Sequence, residues 1–319
     1  MRSLVLVAAA AVLTACAPRL DEPVKVRIPP GSSFSAATDS LVSAGVVRFP
    51  AWFRWQAKLR GADRALKPGI YAFEGRPSSV QILDRLAKGD ALRFRVTLIE
   101  GGTLWDLART VEQSMGMPGD SIHAAARDAA LRERFGVPGA TVEGWMAPVT
   151  FNFGGFESAG EILTAFLRAR RDQWPANFAR RADAADLDTV EVLAIASIVE
   201  AEAQLAEELP RIAAVYRNRL RLGMPLQADP TIQYAFLVDS GARKPRLFNK
   251  DYAYPSAYNS YTNRGLPPTP IGNPSTAAIE AVLAPANTRE LYFVARGDGG
   301  HVFARTYAEH LSNIRRVRR

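Results

Sequence analysis

Twice in this chain an extended run closes on a glycine turn, passes a hydroxyl side chain and continues with helical spacing. Residues 26–34, Val26-Arg27-Ile28-Pro29-Pro30-Gly31-Ser32-Ser33-Phe34, do so first. Residues 96–104, Val96-Thr97-Leu98-Ile99-Glu100-Gly101-Gly102-Thr103-Leu104, repeat the pattern. Alternation sends successive side chains to opposite faces of a strand. A serine or threonine beyond the turn offers an acceptor to the free N–H groups that open a helix. A chain that places short strands directly before helices is restricted to mixed architectures.

The rest of the sequence extends that restriction. Residues 17–23 read as a tether, and 24–28 alternate as a half-exposed strand. Ser32 or Ser33 caps a helix carrying Leu41 and Val42, which Gly45 stops. Residues 67–73 form a turn and a strand. Ser78 or Ser79 opens a helix through Ile82, Leu83 and Leu86 that closes at Gly89. Residues 103–134 read as helical, and 143–156 as an aromatic, glycine-rich loop. Helices dominate 158–222. Beyond Pro225 the abundance of Pro, Tyr, Asn and Gly predicts ordered loops rather than long elements. Residues 291–295 and 301–303 form a hairpin around the turn at 297–300, and a last helix begins at Tyr307. The paired strand–helix units resemble LysM-like modules, which bind sugar polymers; two generic strand–turn–helix units are the plainer alternative. The expected fold class is α+β, with a small N-terminal LysM-like α/β module over 24–92. A larger, mixed and mainly helical domain with a short C-terminal hairpin follows over 93–319, and 1–23 serve as anchor and tether.

The first residues bear on location. Residues 4–15 are apolar and end at Cys16. The run is shorter than the roughly 20 residues a helix needs to cross a bilayer, and it has the length of a signal-peptide core. Leu13-Thr14-Ala15-Cys16 resembles the lipobox of bacterial lipoproteins, in which the cysteine is lipidated; an uncleaved anchor or an ordinary signal peptide are the other readings. Each predicts a chain facing a compartment outside the cytoplasm. The single cysteine excludes an internal disulfide and a cysteine-built zinc site. The net charge of +8 suits acidic partners, yet the basic residues are dispersed except at Arg315, Arg316, Arg318 and Arg319. No nucleic-acid motif accompanies them, so no nucleic-acid partner is expected.

Among catalytic motifs, the dinucleotide glycine fingerprint, the phosphate loop, the serine elbow and the HExxH pair are all missing from the sequence. Three histidines remain, and His301, after a glycine turn, reads either as a substrate contact or as a hairpin-packing residue. Carboxylates are the better candidates. Read as one helix, residues 191–208 put Ile195, Ile198, Val199, Leu205 and Ala206 within about 60° of Glu202, whereas Glu200 points about 160° away. A carboxyl on an apolar face is disfavoured as an anion and suits a general acid. The alternative is a helix end whose acids reach solvent. Asn218, Arg219, Gln227, Asp229, Tyr234, Tyr258, Asn259 and Tyr261 follow, a set of amides and rings suited to holding sugars.

Several stretches together resemble one family. They are Ala196-Ser197-Ile198-Val199-Glu200-Ala201-Glu202, Val215-Tyr216-Arg217-Asn218-Arg219-Leu220, residues 224–234, 256–261 and 265–271, and the hairpin with Gly297-Asp298-Gly299-Gly300-His301. This order is similar to that of the MltG (YceG-like) endolytic murein transglycosylases, from about residue 24 to 310. The resemblance implies a lyase that cuts the β-1,4 bond between N-acetylmuramic acid and N-acetylglucosamine and leaves 1,6-anhydro ends. It places the catalytic acid/base on Glu202 and substrate contacts on Asn218, Gln227, Asp229, Tyr258, Asn259 and Tyr261. It implies no metal or cofactor. Peptidoglycan strands are the implied substrate, cell-wall synthases are candidate partners, and the implied location is the bacterial cell envelope, membrane-anchored and facing the periplasm. A glycan-binding scaffold with weak catalysis, or a muramidase using Asp229 as a second carboxylate, are the alternatives. Two departures stand out: family members begin with a membrane-spanning helix rather than residues 4–15 and Cys16. In addition, Val149 replaces the aspartate of the family's EGW…PDT segment.

Overall fold

The computed structural model describes residues 18–317, so the apolar run 4–15, Cys16, Arg318 and Arg319 lie outside the described residues. The chain divides into two compact units. The first takes the described residues up to Arg95 together with Phe151–Glu157, and the second takes Val96–Thr150 and Ser158 onward.

In the first unit, β1 (Leu20–Ile28) pairs antiparallel with β2 (Gly69–Gly75), with Val26 opposite Tyr71 and Ile28 opposite Gly69. The strand starts at Leu20, so part of the expected tether belongs to it. Its register shifts between Leu20 and Val24, where Pro23 has no N–H to give to a ladder. Between the strands lie α1 (Phe34–Ser43) and α2 (Pro50–Arg60), and α3 (Ser79–Lys88) follows β2. Ser33 caps α1 by accepting the Ala36 N–H. Ser78 and Gln81 form a reciprocal cap on α3, a device worth about 1 kcal/mol. Val26, Ile28, Leu41, Phe53, Tyr71, Phe73, Leu83 and Leu86 form the core of this small α/β module. No helix was expected at α2, because only Phe53 and Ala57 of its residues are buried and leave a weak apolar stripe.

The second unit is mainly helical. It contains α4 (Leu104–Met115), α5 (Gly119–Ala126), α6 (Ala129–Arg134), α7 (Ala159–Asp172) and α8 (Phe178–Ala184). Next come α9 (Thr189–Glu202), α10 (Leu209–Arg221), α11 (Asp229–Ser240) and α12 (Thr276–Leu283). A hairpin of β5 (Tyr292–Ala295) and β6 (His301–Ala304) precedes α13 (Tyr307–Val317). The unit boundaries fall inside β3 (Phe94–Thr97) and β4 (Thr150–Phe153), which pair with each other.

At the centre of this unit stands α9. All eight residues from Val192 to Val199 are buried, as a helix apolar on every side must be. It shares its core with Ile212, Ala213 and Tyr216 of α10 and with Ala278, Ile279 and Val282 of α12. Fully burying one Val, Ile or Leu contributes about 1.5–3 kcal/mol, which lets the helix carry a less favourable residue at its end. The helix stops at Glu202, since Ala203 is extended at φ −75° and ψ 129°. Leu205 and Ala206 therefore do not share a helical face with Glu202, correcting the single-helix reading of 191–208. Residues 229–240 also depart from expectation, because a regular helix runs there. Pro230 sits in its first turn, where the missing N–H is not needed. Among the described residues no helix is long and apolar enough to cross a membrane.

Candidate functional site

A groove of about 570 Å³ in the second unit is lined by Gly101, Gly102, Glu202, Asp229, Tyr234 and His301, among others. Glu202 reaches it from the last turn of α9. The residue keeps a partly exposed edge while protein atoms crowd its carboxyl, and burial pushes its pKa up to about 7. The Tyr216 hydroxyl donates to Oε1 at 2.9 Å and pulls the pKa down. The negative charge of Asp229 raises it, and Arg219 lowers it. The carbonyl end of a helix adds further disfavour to an anion. The result is an acid that still holds its proton near neutrality and has access to a concave surface.

Asp229, in the first turn of α11, faces the same groove. Its carboxylate is engaged: Oδ1 accepts from Tyr261 at 2.6 Å and Oδ2 from Tyr252 at 3.4 Å. Burial and this carboxylate push the Tyr261 hydroxyl pKa up, keeping it a donor. The structure thus brings Glu202, Asp229 and Tyr261 together.

Other residues singled out in the sequence lie elsewhere. Asn259 is fully buried. Its amide donates to the Tyr252 and Tyr254 carbonyls, and its Oδ1 accepts the Tyr261 N–H. It holds the loop that carries Tyr252 and Tyr261, with no surface left for a ligand. Tyr258 bonds Thr269 at 2.9 Å and packs its ring edge-on to Tyr234. Asn218 spends its amide on the Thr288 and Glu290 carbonyls and borders a different cavity. Gln227 is exposed at φ 50° and accepts from Arg219 at 3.3 Å. Arg219 is a buried clamp, donating to the Leu291 and Leu226 carbonyls. Val149 is not among the groove's lining residues; its carbonyl accepts the Leu98 N–H at 3.1 Å.

That other cavity is larger, about 920 Å³. Of its acids, Asp188 and Glu191 cap α9 reciprocally and Asp186 is exposed, so it presents no crowded carboxyl like that of Glu202. Size is a poor guide here.

Sequence reasoning missed Glu143 as a site-supporting residue. It is fully buried, and burial pushes its pKa to about 7 despite three hydrogen bonds. Oε2 accepts from the Leu104 N–H and the Tyr234 hydroxyl, and Oε1 from the Asn273 amide. Asn273 in turn donates to the Gly102 carbonyl, and its own carbonyl accepts the Gly101 N–H. Glu143 thereby fixes the two glycines that edge the groove. Gly144 beside it sits at φ +84°, and a Cβ there would fall 2.3 Å from Pro270, so no other residue fits. The signal that could have found it was its place at the head of the Glu143-Gly144-Trp145 segment that resembles the family's EGW…PDT. Glu208 was missed too: its carboxylate accepts the His301 N–H at 2.9 Å and meets Nδ1 at 2.6 Å, tying the hairpin turn to the segment after Glu202. Among the described residues no three His, Cys, Asp or Glu side chains gather as a metal site would require.

Fold and groove together define a mainly helical α+β protein organised around one protonatable acid on a concave face. The chain belongs to the YceG-like family, whose profile matches residues 26–316. An endolytic murein transglycosylase of Bacillus subtilis (strain 168) is 29% identical over 304 residues, covering 90% of this chain and 82% of that protein. One from Streptococcus pneumoniae (strain D39) is 29% identical over 319 residues, covering 91% of this chain and 58% of its own length. A Listeria monocytogenes crystal structure described as yceG-like matches with a TM-score of 0.63 at 28% identity, over 92% of this chain and 99% of the other.

Proposed function

We propose that this chain is an endolytic murein transglycosylase with Glu202 as its general acid and base. The observation that carries the reading is the crowded Glu202 carboxyl, its pKa raised to about 7, on a groove beside aromatic hydroxyls. The family and the names of the relatives support the substrate class.

In the proposed reaction Glu202 gives its proton to the oxygen linking muramic C1 to C4 of the next N-acetylglucosamine. The C1–O bond breaks as the C6 hydroxyl oxygen of the same muramic residue bonds to C1. The C6 hydroxyl proton passes to Glu202, restoring the acid. The products are a 1,6-anhydromuramic end and a free C4 hydroxyl, so one carboxyl serves both transfers. Glycosidases that use water or an enzyme nucleophile need a second carboxylate. Asp229 is the best candidate the sequence offers for it, and its two oxygens already accept from Tyr261 and Tyr252, which favours the internal hydroxyl over a hydrolytic muramidase. Within this reading, residues 24–92 grip glycan and 93–319 cut it. The chain faces the wall of a bacterial envelope, with Cys16 as lipid attachment point and cell-wall synthases as neighbours.

Mass spectrometry of purified glycan strands after digestion tests the proposal. Anhydro ends are expected, lowered by about 10³-fold or more in Glu202→Gln and largely retained in Glu200→Gln, whose carboxylate also borders the groove but is engaged by the Ser275 N–H and the charge of Arg170. Free reducing ends, or full activity in Glu202→Gln, would overturn it.

A further inference from the structure

The helix that the sequence did not announce has an unusual outer face. On α2 the buried residues Phe53 and Ala57 point into the core of the first unit. At 100° per residue, Trp52, Trp55 and Leu59 lie on the opposite side. They are 41%, 52% and 72% exposed, and Phe49 at the helix entry is 52% exposed. The two indoles stack with centroids 4.7 Å apart, forming an apolar ridge.

Basic residues flank this ridge. Residues 48–64 hold Arg48, Arg54, Lys58, Arg60 and Arg64 against a single acid, Asp63. Arg54 pairs with Asp39, and Arg60 meets Asp84 at 3.5 Å. Arg48, Lys58 and Arg64 are exposed and pair with no acid among the described residues. Arg48 lies 5.5 Å over the Phe49 ring. Contiguous exposed rings on a monomer mark a contact surface. Tryptophans with adjoining lysines and arginines are the composition of a helix lying at a bilayer surface, where indoles sit among the headgroups and cations meet anionic phosphates.

We propose that α2 is an interfacial membrane contact, laying Phe49, Trp52, Trp55 and Leu59 into the headgroup boundary of an anionic phospholipid bilayer. This contact is separate from the expected N-terminal anchor and independent of the assignment of Glu202. Charge complementarity selects the occupant: the free cations Arg48 and Lys58 border the ridge, and the one acid within 48–64, Asp63, lies past the helix end beside Arg64. Chain length is consistent with it. From the expected attachment at Cys16 to Leu20 the chain reaches at most about 14 Å, which would hold this unit against the lipid.

The test uses the full chain and vesicles of phosphatidylglycerol and phosphatidylethanolamine with brominated acyl chains. The five tryptophans include Trp52 and Trp55, and the Trp52→Tyr/Trp55→Tyr double variant isolates their share of the signal. Brominated lipid should quench the wild type more than the double variant, and aqueous iodide should reach the two indoles less when vesicles are present. An Arg48→Glu/Lys58→Glu variant, or vesicles of phosphatidylcholine, should weaken the bromine quenching about threefold or more. These side chains are exposed, so unchanged thermal unfolding will confirm that the variants fold. Equal quenching of wild type and double variant overturns the proposal. So does protection of the indoles by glycan strands but not by vesicles, which would make the ridge a sugar platform.

Discussion

The Tyr216 hydroxyl donates to Glu202 Oε1 at 2.9 Å from the facing helix, while Asp229, on the same groove, carries a charge that works against it. The first neighbour stabilises the Glu202 anion and the second destabilises it. Burial decides the balance in favour of the protonated acid. An acid working at neutral pH needs this arrangement, since a fully solvated glutamate would have lost its proton almost three units lower, near 4.3.

The first expectation concerns rate against pH. With Glu202 as the acid and its pKa near 7, kcat/KM for glycan cleavage is expected to fall about tenfold per pH unit above that value. Below it the acid is already protonated, and Glu202 itself imposes no loss. Initial rates between pH 5 and 9 check this. A rate that rises steadily to pH 9 would exclude Glu202 as the proton donor.

Tyr216→Phe and Asp229→Asn are expected to move that limb in opposite directions. Losing the Tyr216 donor raises the Glu202 pKa, so the falling limb moves to higher pH. Removing the Asp229 charge lowers the pKa, and activity at pH 8 is expected to drop about threefold or more relative to its own maximum. Comparing normalised pH profiles separates these shifts from any general loss of activity. Limbs that move the same way would show that the two groups do not act through Glu202.

How far the sequence foretold this site can be judged from Glu202 itself. Helical periodicity singled it out partly for the wrong reason, because Leu205 and Ala206 follow the helix end and lend no apolar face. The crowding comes from tertiary partners, Tyr216 on α10 and the start of α11, which no periodicity encodes. Capped helices were readable because Ser33, Ser78 and their glycine stops act locally. The helix at 229–240 was not, since prolines, tyrosines and polar residues around it resemble loop composition. Amide and tyrosine residues were recognised as a group, yet Asn218 and Asn259 turn out to serve carbonyls. A sequence shows that an amide is present but not which partner has claimed it.

Glu143 gives an expectation about stability. Replacing it with Leu leaves the Leu104 N–H, the Tyr234 hydroxyl and the Asn273 amide without their acceptor. Buried donors left unpaired cost roughly 1–3 kcal/mol each, tempered by relaxation. A loss of about 2–4 kcal/mol in chemical denaturation is therefore expected. Activity should fall further than unfolding alone explains, because Gly101 and Gly102 lose their tie. A variant with wild-type stability would show that the network carries no net free energy.

The raised acids also set how stability depends on pH. A glutamate whose pKa goes from 4.5 to about 7 on folding binds its proton more tightly in the folded state. Its contribution is fully present below about 4.5 and is lost as pH rises through 7, the reverse of a salt-bridged carboxylate. Two such residues, Glu202 and Glu143, make the protein lose stability across that window. Glu202→Gln removes one of them while the amide oxygen still accepts from Tyr216. Its advantage over the wild type is expected to be about 2 kcal/mol larger at pH 8 than at pH 5, read from thermal unfolding at both values. Equal gains at both pH values would mean that the advantage comes from packing rather than from the proton, and that the Glu202 carboxyl is not held in its acid form by the fold.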